Sequence, residues 1–249
     1  MSTILGVQID QLTFDQIRQK LEQFLGSGMA HHIVTANPEM LVAAHRNPVF
    51  QNILRRADLV VADGVGILWA AKTVYGESIP ERITGNDLLA LLIDLANAHD
   101  LNVYFIGGET DQAERAAQAV RGQHPRLQIR ARQGGAMTKD VIWHIDPSVI
   151  EDIKAQAPDI LVVALGHEKQ ETWIHDFLPE LPSVRAAIGV GGAFAFLSGD
   201  VPRAPRWMQR AGLEWLWRLM QEPSRFGRIF TAVIVFPVLV IWDKIKPQK

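Results

Sequence analysis

Residues 103–131 read VYFIGGETDQAERAAQAVRGQHPRLQIRA. An unbroken apolar run, Val103–Ile106, ends in Gly107-Gly108. The next stretch, Asp111–Arg121, sets Ala113, Ala116, Ala117 and Val120 on one helical face, with Thr110 placed to cap it. A second strand is predicted at Leu127–Ala131, where Leu127, Ile129 and Ala131 are apolar. Strand, helix and strand in that order predict an α/β layer structure with a mainly parallel sheet.

The same alternation extends in both directions. Further strands are predicted at His32–Thr35, Leu59–Ala62, Ile160–Leu165 and Ala186–Val190, mostly β-branched or aliphatic runs as in strands buried on both faces. Thr13-Phe-Asp-Gln16 reads as a capping box, with Leu12 and Ile17 placed as a hydrophobic staple. Asn86 is placed to cap a helix over Asp87–Ala98. Helices are also predicted at Glu168–Phe177, Ala193–Leu197 and Arg206–Gln221. The fold class is therefore an α/β sandwich with a mainly parallel sheet over residues 1–200, followed by a helical appendage over residues 201–249. The appendage is too short for a large core of its own.

Composition narrows the function. Of 249 residues, 48% are hydrophobic and 21% charged, and none is cysteine. Disulfide scaffolds, thiol nucleophiles and Cys-ligated metals are excluded. A net charge of −2 argues against a nucleic-acid coat. The charge is unevenly spread, however. Residues 201–249 hold nine Lys/Arg against three Asp/Glu, a net of +6, which leaves −8 on residues 1–200. Four of the seven tryptophans, Trp207, Trp215, Trp217 and Trp242, lie in the same tail. A basic, Trp-rich end suits an anionic membrane surface or a phosphate-rich partner, although a solvated basic face has the same composition. The start of the chain, with Asp10 and no basic-then-apolar pattern, gives no sign of export. The apolar run Ile229–Trp242 is 14 residues long and interrupted by Thr231 and Pro237, short of the roughly 20 a spanning helix needs. It is expected to lie in a membrane interface; a buried terminal helix or strand is the alternative.

Ligands of parallel sheets bind at the carboxyl ends of the strands, so chemistry is expected in the loops there. Thr35 and Asn37 end the first strand, and Asn37-Pro38 equally describes an ordinary helix start. Asp63 follows the apolar strand Leu59–Ala62 and precedes Gly64-Val-Gly66. A partly desolvated carboxylate there is a candidate general base, and a helix N-cap is the plain alternative. Arg82 lies in a polar cluster leading into a helix and could hold a phosphate or sugar hydroxyl. Gly107-Gly108 and the turn around Gly191 could pass a nucleotide. Gln170 could read a carbonyl or hydroxyl pair, whereas His167 lacks companions at metal-ligand spacing. Arg203 and Arg206, flanking Ala204-Pro205, are placed to reach a diphosphate. Arg225, Arg228, Lys244 and Lys246 flank the apolar run and are expected to meet lipid headgroups.

No Walker A loop, G-x-S-x-G elbow, H-E-x-x-H or Asp-x-Asp occurs in the chain, so no metal site is predicted. In Gly189-x-Gly191 the third glycine of a dinucleotide fingerprint falls on Phe194, which disfavours a dinucleotide-dependent oxidoreductase. A non-catalytic membrane-bound module on the same fold remains the other alternative.

Together these loops resemble the WecG/TagA/CpsF family of bacterial glycosyltransferases. The resemblance rests on TANPEM at 35–40, ADGVG at 62–66, ERITGND at 81–87, GGE at 107–109, GHEKQETW at 166–173 and the long stretch at 189–226. It implies a Rossmann-like fold with a membrane-associating C-terminal appendage, and inverting, metal-independent transfer of a sugar, N-acetylmannosamine or a related hexose, from a UDP-sugar to a polyprenyl-diphosphate-linked saccharide. Such lipid-linked products feed cell-wall or exopolysaccharide synthesis. The resemblance also implies a cytoplasmic protein, peripheral on the inner face of the cell membrane, with no cofactor; homo-oligomerisation stays open. Carried over by motif, Asp63 is the base, with Thr35, Asn37, Arg82 and Gln170 around the donor sugar and diphosphate. The sequence departs from the family pattern at Glu168, commonly Pro, and at Ala195, commonly Asp. The first departure bears on the loop presenting Gln170, the second on donor preference.

Overall fold

The structure, a computed structural model, describes residues 1–134, 136–137, 143–144, 147–205, 207–208 and 211–245. Arg206, Arg210, Lys246 and Lys249 of the basic tail lie outside the described residues. In chain order the strands are β1 (Ser2–Ile4), β2 (Val7–Ile9), β3 (His31–Ala36), β4 (Leu59–Ala62), β5 (Val103–Gly107), β6 (Ile129–Arg132), β7 (Ala136–Met137), β8 (Trp143–His144), β9 (Ile160–Ala164) and β10 (Ala186–Gly189). The α-helices are α1 (Phe14–Gly26), α2 (Pro38–Arg46), α3 (Pro48–Arg56), α4 (Val65–Trp69), α5 (Gly85–Ala98), α6 (Gln112–Gln123), α7 (Pro147–Gln156), α8 (Lys169–Phe177), α9 (Ala193–Leu197) and α10 (Glu214–Gln221), followed by a helical run over Pro223–Ile245.

Six strands form one sheet in the order β4-β3-β10-β9-β5-β6. Neighbours from β3 through β6 pair in parallel. The chain is thus the expected α/β, Rossmann-like fold, and the six predicted strands are its six sheet strands. Their burial explains why they were readable: β3, β4, β5, β9 and β10 are buried at every position. Such strands carry continuous apolar runs. The β1–β2 hairpin was not foreseen. Its three-residue strands are too short for a visible alternation, and Leu5, with φ 49°, occupies a turn position where Asn or Asp would have been the signal.

Three helix starts differ from expectation. The Thr13 capping box forms: the Thr13 N–H donates to Gln16 Oε1 at 2.9 Å and the Gln16 N–H to Thr13 Oγ1 at 3.3 Å. But α5 begins at Gly85, which puts Asn86 inside the first turn instead of at the cap. At α6 the cap position belongs to Asp111, not Thr110, and the Asp111 side chain pairs with Arg115 instead of the backbone. The single helix expected over Arg206–Gln221 is interrupted by a turn at Ala211-Gly212, and α10 starts at Glu214. Gly212 has φ +71°, and a Cβ there would stand 2.4 Å from Val65 Cγ1, so only glycine fits this turn.

The chain divides into two compact units. One comprises Met1–Gln16, Val34–Thr84 and Val201–Lys249. Its core holds Val34, Leu41, Val60 and Ile67 together with Phe236 and Val240 of the C-terminal run. The other comprises Ile17–Ile33 and Gly85–Asp200, with Tyr104, Ile106, Leu161, Val163, Trp173 and Ala187 among its core residues.

The C-terminal run is longer than the apolar stretch in the sequence. Pro223–Ile245 forms 23 residues of helix with mean hydropathy 1.8, long and apolar enough to cross a membrane by length and composition. The helix continues through Pro237 because a π-helical segment, Thr231–Val235, precedes it. The Phe236 N–H reaches back to the Thr231 carbonyl, an i→i−5 bond. The wider turn removes the usual conflict between a proline ring and the preceding carbonyls. Phe236 and Val240 are fully buried, whereas Phe226, Val238, Trp242 and Ile245 are 65%, 62%, 52% and 74% exposed. Near the end of the run, the Tyr75 hydroxyl donates to Asp243 Oδ2 at 2.9 Å. Burial and this carboxylate push the Tyr75 phenol up to about 12.

Phe236 therefore anchors the run to its unit. Phe236→Ala should lower stability by about 3–5 kcal/mol in denaturant melts. Val238→Ala, on the exposed face, should change it by under about 0.5 kcal/mol. Similar small effects for both would mean the run is not part of the core.

Candidate active site

The first unit gathers Thr35, Asn37, Asp63 and Arg82 at the carboxyl ends of β3 and β4. The Asp63 N–H donates to the Ala36 carbonyl at 2.7 Å, and the Ile83 N–H to the Ala62 carbonyl at 3.0 Å. These bonds bring the ends of the two strands and the segment before α5 side by side. Thr35 is buried at 7% exposure. Asn37 caps α2, its Oδ1 accepting from the Met40 N–H at 3.0 Å with Pro38 in the first turn. Asp63 is half-buried, and the cap position of α4 belongs to Gly64, with no side-chain cap bond. The Asp63 carboxylate is thus not the N-cap of that helix.

Arginines from the C-terminal segment join this group. Arg82 Nη2 donates to Glu214 Oε2 at 2.9 Å, each side chain 21% exposed. Arg228 Nε donates to Glu39 Oε2 at 2.7 Å. Arg225 bonds Glu222, and Arg218 lies 3.8 Å from the same carboxylate. Burial pushes the Arg218 guanidinium down to about 10, Arg225 and Arg228 push the same way, and the Glu222 and Asp63 carboxylates oppose them. Arg218 therefore stays charged at neutral pH and sits within the field of Asp63. The structure turns Arg228 toward the first turn of α2, and Lys244 lies over the Tyr75 ring at 5.5 Å. Arg203 is exposed, and Arg206 lies outside the described residues.

Sequence reasoning counted Arg218 among the basic residues but gave it no role, and it passed over Glu39 and Glu214. A signal was present: Glu214, Arg218 and Glu222 alternate in sign at four-residue spacing, which places them on one helical face.

The second unit holds Gly107, Gly108, Gln170 and Gly191. Gly107 has φ +106°, and a Cβ there would stand 2.6 Å from the Ala164 carbonyl oxygen. The Gly108 N–H donates to that carbonyl at 2.8 Å. Gln170 is 3% exposed and bonded to protein at both ends of its amide: Oε1 accepts from the Gly191 N–H at 2.8 Å, and Nε2 donates to Glu171 Oε1 at 2.7 Å. It thereby holds the turn after β10. Glu168 adopts φ 65° and ψ −48°, near the strained γ-turn geometry. Proline, whose φ is fixed near −65°, cannot take this conformation.

A half-buried carboxylate stands at the carboxyl end of a strand of a parallel α/β sheet, where ligands of such sheets bind, and arginines paired with acids lie in the same unit. Residues 2–249 match the glycosyl transferase WecG/TagA/CpsF family, and the chain belongs to that family of glycosyltransferases. It is similar to an N-acetylglucosaminyldiphosphoundecaprenol N-acetyl-beta-D-mannosaminyltransferase of Bacillus spizizenii, with 34% identity over 84% of this chain and 78% of the relative. Proteins of the same description from Staphylococcus aureus (27% identity over 99% of this chain and 95% of the relative) and Bacillus subtilis (29%, 80% and 75%) are also similar.

Glu171 offers a test of the second unit. It is fully buried, and burial raises its carboxyl from 4.5 to about 7. The folded state then holds the proton more tightly than the unfolded chain does. This contribution to stability is complete below about pH 4.5 and is lost as pH rises through 7, on the order of 3 kcal/mol in all. Glu171→Gln should remove that slope, matching the wild type near pH 5 and exceeding it at pH 8 in urea melts. A stability difference that does not vary with pH would rule this out.

Proposed function

We propose that the chain transfers N-acetylmannosamine from a UDP-sugar to an N-acetylglucosaminyl-diphosphate-polyprenol, with inversion and without a metal ion. The observation that carries this reading is the half-buried Asp63 carboxylate at the carboxyl end of β4, which its N–H bond to the Ala36 carbonyl at 2.7 Å holds beside the end of β3. The relatives' descriptions supply the sugar and the lipid-linked acceptor.

In this mechanism Asp63 takes the proton of the attacking acceptor hydroxyl. The acceptor oxygen bonds to the anomeric carbon as the bond from that carbon to the diphosphate breaks. UDP leaves with the electron pair, and its growing charge falls to Arg218, Arg225 and Arg228, with Arg82 and Arg203 adding to the positive charge of the same unit. Fixed guanidinium groups suit this task because they need no reorganisation as charge develops. Thr35 and Asn37 orient the sugar. Residues 201–249 act as a membrane-facing appendage that keeps the protein peripheral on the cytoplasmic face, where a lipid-anchored acceptor is found. The exposed Phe226, Val238, Trp242 and Ile245 are the residues offered to lipid.

A panel of UDP-sugars with a short-chain acceptor of this type tests the reading. Transfer and UDP release from UDP-N-acetylmannosamine are expected. Release from no donor would favour a non-catalytic module. Asp63→Asn should cut turnover about 10²–10⁴-fold while the protein stays folded; a variant keeping half its turnover would remove Asp63 as the base. Transfer should also persist in EDTA, and loss of activity restored by a divalent ion would overturn the arginine-based mechanism.

A further inference from the structure

Glu214 opens α10, and Arg218 follows four residues later on the same face, one turn along. Glu214 accepts the Arg82 guanidinium at 2.9 Å, and Arg218 lies in the field of Asp63. Arg82 is itself fixed near Asp63, because its neighbour Ile83 bonds the carbonyl of Ala62. Glu214 therefore holds Arg82 directly and shares one face of α10 with Arg218. The approach of α10 is otherwise secured by close contacts that do not choose a rotamer for Arg82. Gly212 lies against Val65, and the Trp217 indole donates to the Pro202 carbonyl at 3.0 Å. A fully exposed ion pair would contribute little, but here both side chains are about four-fifths covered and the bond is charge-assisted.

We infer that Glu214 is a positioning residue for the transfer reaction: it presets Arg82 for the departing diphosphate. Glu214 does not touch the substrate in this scheme. The inference rests on the donor reading above, and UDP alone serves as the probe, which separates this step from acceptor chemistry. In calorimetry, Glu214→Gln should weaken UDP binding by roughly ten- to hundredfold. Glu214→Asp should recover part of the loss. In the Arg82→Ala background, Glu214→Gln should add almost nothing, because its direct partner is gone. Turnover per folded molecule should fall in step with UDP affinity, whereas binding to anionic vesicles and the melting temperature should stay near wild type.

A role confined to stability would show the reverse pattern, with a lower melting temperature and unchanged UDP affinity in the folded fraction, and would overturn the inference. So would full additivity with Arg82→Ala, or wild-type UDP binding by Glu214→Gln. A wild-type protein that binds no UDP would remove the donor reading and this inference together. Wild-type protein that binds UDP as tightly as Glu214→Gln does would remove only the inference.

Discussion

One backbone hydrogen bond, from the Asp63 N–H to the Ala36 carbonyl at 2.7 Å, sets the geometry on which the first unit depends. It closes the ends of β3 and β4 so tightly that the loops beyond must separate at once. Pro38 begins α2 on one side, and Gly64 and Gly66 carry the chain away on the other. A Cβ on Gly64 or Gly66 would come within 3.0 or 3.1 Å of the Pro38 ring. Gly64 also has φ +149°, a conformation that side chains oppose. These backbone constraints thus fix the point at which the Asp63 side chain leaves the chain.

Charge then organises what surrounds it. Guanidinium groups packed together repel one another, and burial penalises each of them. The structure meets this cost with carboxylates interleaved among the arginines: Glu39 with Arg228, Glu214 with Arg82, and Glu222 with Arg218 and Arg225. The strong positive balance of the C-terminal segment is accordingly not a uniform face turned to solvent. Part of it is folded back among the acids of its own unit.

Much of the fold was legible because β3, β4, β5, β9 and β10 are buried on both faces and must read as apolar runs. The helix stripes of α5 and α6 followed the same logic. Helix ends were less legible. A threonine or asparagine near a helix start satisfies the cap pattern whether or not the backbone turns there, as Thr110 and Asn86 show. The break at Gly212 depends on the distant Val65, which no local pattern contains. The candidate site divides in the same way. Asp63, Asn37 and Arg82 were found because each stands at the end of a recognisable element. Glu39 and Glu214 were passed over because their importance comes from partners 189 and 132 residues away in the chain.

The π-helical segment at Thr231–Val235 has a consequence for how the last helix is read along its length. In an uninterrupted α-helix Phe226 and Val238 would point about 120° apart, since each residue advances about 100°. One residue absorbed by the wider turn cancels about 100° of that rotation and leaves them within about 20° of each other. Phe226, Phe230, Val238, Trp242 and Ile245, all exposed, then fall along one line, and the fully buried Phe236 and Val240 lie opposite. The segment works as a phase corrector: it splices two short amphipathic pieces into one continuous apolar ridge, which a strict 3.6-residue repeat through the same sequence would have twisted apart.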